Sequence, residues 1–73
     1  MNDTMTREEK MKAAWQAVKK IIHETVKDLG GIPSGHLYAH VRGMMSLDVY
    51  NTMLSELKAE GKLSEENFYL TAN

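Results

Sequence analysis

The run Gly30-Gly31-Ile32-Pro33-Ser34 divides this chain, and no regular helix can pass through it. Two adjacent glycines lose the most backbone entropy on ordering and readily take the left-handed geometry that ends helices. Pro33 has no N–H, and it pushes Ile32 toward an extended conformation. A helix that reaches the run must therefore end there, and whatever follows must start afresh.

The segment before the break reads as one long helix. Thr6-Arg7-Glu8-Glu9 fits a capping box, in which a Thr hydroxyl and a Glu carboxylate satisfy each other's backbone donors. Met11, Trp15, Val18, Ile22, Val26 and Leu29 recur at steps of four and three and predict a core stripe. Ala14, Ala17 and Ile21 widen that stripe on one side. Residues 1–5 read as a frayed end. A helix to Leu29 would be roughly 35 Å long at 1.5 Å per residue. The remaining chain should form a body about 20–25 Å across. Part of the helix should therefore overhang. The overhang carries Met11, Ala14 and Trp15, which are the predicted interface of a homodimer; the alternative is that Trp15 caps the core of a monomer.

After the break, Ile32 can pair with a later hairpin as a minimal third strand. Pro33-Ser34 then open a second helix, with Ser34 as its predicted cap. Leu37, Tyr38 and Val41 point inward, and Gly43 is its predicted end. Gly43-Met44-Met45-Ser46 reads as a tight turn. The third helix, Ser46 to Glu60, has a Ser cap, Asp48 near its positive N-terminus, and Leu47, Tyr50, Leu54 and Leu57 on one face. Gly61 closes it. Lys62-Leu63-Ser64 and Phe68-Tyr69-Leu70-Thr71 read as two short strands, with Glu65-Glu66-Asn67 as the turn.

This order resembles the winged helix-turn-helix superfamily. The resemblance rests on Ile32-Pro33-Ser34, Leu37-Tyr38, Ser46-Leu47, Leu54, and the run Leu57-Lys58-Ala59-Glu60-Gly61-Lys62-Leu63. Tyr69-Leu70-Thr71 matches its closing strand. The match covers about residues 30–72 and implies a mainly α fold: three helices, the first a long N-terminal addition, and a short C-terminal β-hairpin as the wing. The chain divides into the N-terminal helix (1–29), the helix-turn-helix (30–61) and the wing (62–73), within a single domain. The resemblance implies a small DNA-binding transcriptional regulator of the bacterial or phage type. A minority of the superfamily uses the fold for protein contacts.

The residues test that implication. The outward face of the third helix holds Asp48, Thr52, Ser55, Glu56 and Ala59, with Asn51 and Lys58 at its edge. Thr52, Ser55 and Asn51 can hydrogen-bond bases or phosphates. Asp48, Glu56 and the Glu65-Glu66 wing would repel a phosphate backbone, whose neutralisation supplies most non-specific affinity. Lys12, Gln16, Lys19, Lys20, His23 and Lys27 fall within about 100° of arc on the first helix and form the basic stripe of the chain. That stripe is either a contact for DNA or an acidic partner, or an ordinary solvated face. Residues 1–29 hold six basic and five acidic side chains, and residues 30–73 hold three and five. The small outward residues of the third helix, beside Val49 and Met53, would suit a protein partner equally well, unless Val49 and Met53 belong to the core. Met44 and Met45 at the turn could add adaptable apolar contact.

Composition bounds the remaining possibilities. A 73-residue chain buries only about 60% of its unfolded surface, which leaves a marginal core. There is no cysteine, so neither disulfides nor thiolate zinc sites can staple it. A dimer interface is a plausible further source of stability. His36 and His40 share a helix face, but a metal site needs more ligands; no metal and no cofactor is expected. No nucleophile elbow, glycine-rich phosphate loop or H-E-x-x-H motif is present, and the expected role is not enzymatic. Without a secretory signal pattern or a run of ~20 apolar residues, the expectation is a soluble cytoplasmic protein with no membrane contact.

Overall fold

The computed structural model describes residues 6–73. The reading of residues 1–5 as frayed lies outside the described residues. The chain forms α1 (Arg7–Leu29), β1 (Ile32–Pro33), α2 (Ser34–Val41), α3 (Leu47–Ala59), β2 (Leu63–Glu66) and β3 (Tyr69–Ala72). It is mainly helical, with one small three-stranded antiparallel sheet.

The expected capping box is present. Glu9 N–H donates to Thr6 Oγ1 at 3.1 Å, and Thr6 N–H donates to Glu9 Oε1 at 3.2 Å. Gly30 ends α1 in the left-handed conformation, at φ 75°. Ile32 pairs with Leu70 and Pro33 with Tyr69, so the minimal third strand also exists. The sheet order is β1-β3-β2. Pro33 is tolerated because β1 is an edge strand with no further neighbour to receive its missing N–H.

Three local boundaries differ from the sequence reading. Ser34 does not cap α2. Pro33 occupies the cap position, and Ser34 N–H donates 2.7 Å to the Phe68 carbonyl of the hairpin. A tertiary acceptor thus replaces the side-chain cap. α2 ends at Val41, before Gly43, and Arg42 to Met44 form the turn. The hairpin turn is Asn67-Phe68, with Glu65 and Glu66 inside β2. Both turn residues have positive φ, 52° and 63°. That is the signature of the two-residue turn whose twist matches the flanking strands.

The core joins Ile22 and Val26 of α1, Ile32, Leu37 of α2, Tyr50, Met53, Leu54 and Leu57 of α3, and Leu63 and Leu70 of the hairpin. α1 packs against β3 and α3. Tyr50 is buried with its hydroxyl donating 2.8 Å to Ser34 O, and its ring lies 5.0 Å from that of Tyr38. Burial, with a smaller effect from Glu65, pushes its pKa up to about 12.

The predicted stripes run too long at their ends. Met11 is 65% exposed and Leu29 58% exposed, although both align with the core stripe. α1 outruns the body that would cover them: residues 7–14 are all exposed, and the molecule measures 46 × 24 × 20 Å. Leu47, the first residue of α3, is likewise exposed, and so are Ala14, Ala17 and Ile21, which do not widen the core stripe as the sequence reading had it but lie beyond the edge that the body covers. Met53 is core, and Val49 packs at its margin.

Candidate functional site

α3 presents one face to the core and one to solvent. The solvent face carries Asp48, Asn51, Thr52, Ser55 and Ala59, all exposed. Ser46 fixes the start of the helix, its Oγ accepting from Val49 N–H at 3.3 Å. Thr52 donates its hydroxyl proton to Asp48 O at 2.9 Å. With its proton so engaged, the exposed Thr52 hydroxyl can only accept from a ligand.

Glu56 does not belong to this face, contrary to the sequence reading. It is half-buried at the junction with α1. Trp15 Nε1–H donates 2.7 Å to Glu56 Oε1, and Lys19 Nζ lies 3.0 Å from the same oxygen. Lys19 also bonds Glu60, one turn further along α3. These contacts lower the Glu56 pKa, the Trp15 bond most and Lys19 next; Lys19 does the same for Glu60.

The same junction removes Lys19 from the basic stripe. It is the one buried charged residue among the described residues, 2% exposed. Within the predicted arc, Lys19 is the member nearest the core side of α1. Its hydrocarbon stem covers apolar surface while the ammonium reaches two carboxylates at the rim. Lys19 is thus a structural cation and no candidate for DNA or partner contact. The predicted dimer residues Met11 and Ala14 are free on the surface, whereas Trp15 is half-buried and engaged with α3.

Lys58 is partly exposed but ion-paired to Glu65 of β2. No other Lys or Arg lies on the outward face of α3. Lys12, Lys20 and Lys27 remain exposed on α1. An open groove of about 720 Å³ runs along that side, where Lys20, His23, Lys27 and Lys62 alternate with Glu24 and Asp28. Acids interleave the bases there, so the groove has little net positive field.

The β2-β3 hairpin carries a residue that sequence reasoning missed. Phe68 is 78% exposed at the apex of the hairpin. A strand assignment for Phe68 hid it. The available signal was Asn67, which tolerates the left-handed conformation and so marks the first turn position.

Among the described residues, no group of three or more His, Cys, Asp or Glu side chains could hold a metal ion. No described helix is long and apolar enough to cross a membrane. Comparison with protein-family models, with curated proteins and with solved structures gives no match to this chain.

Proposed function

We propose that the chain is a winged helix-turn-helix binding module, with α2 and α3 as the helix-turn-helix and β2-β3 as the wing, acting as a cytoplasmic DNA-associated regulator. The element order and the pairing of Ile32 with the closing strand support the fold reading. One observation carries the functional reading. α3 exposes Asn51 and Ser55, which can hydrogen-bond base edges or phosphates, and Thr52, which can accept from a base-edge donor, while Glu56, the acid that would oppose DNA at mid-helix, is turned into the α1 junction. Lys12, Lys20 and Lys27 supply exposed positive charge along one side of α1.

A second reading has its own support. Lys58 is held by Glu65, Lys19 is buried, and the wing carries Glu66 beside an exposed Phe68. A helix face that carries Asp48 and no unpaired base, next to an acidic, aromatic wing, suits a protein surface better than a phosphate backbone.

Amide NMR of the labelled chain, titrated with a mixed-sequence duplex at low salt, separates the two. Shifts at Asn51, Thr52 and Ser55 that vanish as salt rises are the result expected for DNA binding through α3. Shifts confined to Lys12 through Lys27 would place the contact on α1. No shift at high duplex concentration would exclude DNA as the ligand of this domain and leave the protein reading.

A further inference from the structure

α1 has a second face that the body leaves uncovered. At 3.6 residues per turn, Ala14, Ala17 and Ile21 lie about 120° round the helix from the core stripe of Trp15, Ile22 and Val26. All three are exposed, and Ile21 is 57% exposed. The charges along that face are ordered. Arg7 and Lys10 lie toward its N-terminal end, and Glu24 and Asp28 toward its C-terminal end. The face is therefore basic, then apolar, then acidic.

Such a sequence of charges is complementary to itself only when reversed. A parallel second helix would set Arg7 against Arg7 and Asp28 against Asp28. An antiparallel one, related by a two-fold axis perpendicular to the helices, sets each basic end against an acidic end. We propose that this face pairs with the same face of a second copy, antiparallel, about an axis between Ala17 and Val18. That register places Arg7 opposite Asp28 of the other copy, Lys10 beside its Glu24, and Ala14 beneath its Ile21. A small residue beneath a large one lets two helices approach to the usual 8–10 Å. The contact keeps Ala14 of the interface of Met11, Ala14 and Trp15 expected from the sequence, and leaves Trp15 to α3. It does not depend on what α3 binds.

Sedimentation of the full chain from about 1 µM to 1 mM tests the pairing. The expected result is a monomer–dimer equilibrium within that range. Ile21→Glu should raise the dissociation constant by about tenfold or more, because it places two carboxylates near the axis. Arg7→Glu and Asp28→Arg should each weaken association, and the double reversal should restore it. Both reversals also suit the helix dipole, an acid in the first turn and a base in the last, so weakened association would not reflect a lost helix. Circular dichroism of each variant checks that point. A monomer at every concentration would overturn the proposal. So would a dimer indifferent to Ile21→Glu, or a double reversal that stays as weak as either single one.

Discussion

Of the two residues that turn the hairpin, only Asn67 suits its backbone. Asparagine enters the left-handed region readily, whereas an aromatic side chain at φ 63° is a true outlier. Phe68 makes no compensating core contact, being largely exposed. Asn-Gly is the preferred pair for this turn. Phe68→Gly should therefore stabilise the fold by about 1 kcal/mol, raising Tm by roughly 4–8 °C for a domain of this size. A lower Tm in calorimetry would refute the strain argument. Gly31 presents the opposite case. Its φ of 131° is open to glycine, and an added Cβ would lie 2.6 Å from the Tyr69 ring. Gly31→Ala should lower stability by about 1–3 kcal/mol in urea denaturation, chiefly through the backbone, since the half-exposed Tyr69 ring can swing aside. Gly30→Ala meets no neighbour within 4 Å and should cost less.

The junction of α1 and α3 sets the pH response of those two elements. Glu56 and Glu60 both sit below the ordinary value of 4.5 in the folded state, through Trp15 and Lys19 for the first and mainly Lys19 for the second. A lowered folded pKa makes their contribution complete above pH 4.5, and it is lost as pH falls through the folded values. Lys19 is raised above 10.5, chiefly by its bond to Glu60 and against the opposing effect of burial. Tyr50 is raised from 10.0 to about 12. The Tyr50 contribution is complete below pH 10 and is lost as pH climbs toward 12, and that of Lys19 is complete below 10.5 and is lost as pH rises through its folded value. Urea midpoints should be level from about pH 5 to pH 9 and fall on both sides. Stability that increases on acidification below pH 4.5 would contradict this account. The junction was also where sequence reasoning fell short. Glu56 and Glu60 are four apart on α3, and Lys19 borders the α1 stripe, but no period within either helix says that these edges meet. The main stripes and the caps at Thr6 and Ser46 were legible because each depends on local spacing alone, and the pairing of Ile32 because Pro33 holds it extended beside a chain that also predicts a hairpin. Exposure at Met11 and Leu29 was not, because it depends on how far the body extends beneath α1.

At the scale of the whole molecule, the core is one cluster drawn from all six elements. A domain of this length has a total stability of about 4–11 kcal/mol at typical values per residue. Leu70, on the central strand and fully buried, touches that margin directly. Leu70→Ala should remove about 2–5 kcal/mol and unfold helices and sheet together in one thermal transition. Separate melting of α1 would show that its attachment is weaker than the shared core implies. The chain holds one tryptophan, and its indole N–H bonds the carboxylate that joins α1 to α3. Fluorescence from this single chromophore therefore reports on one seam of the molecule, with no label required. Protonating Glu56 or lifting α1 from α3 should change the emission, and Glu56→Gln should abolish the step seen on acid titration while leaving the unfolding signal in place.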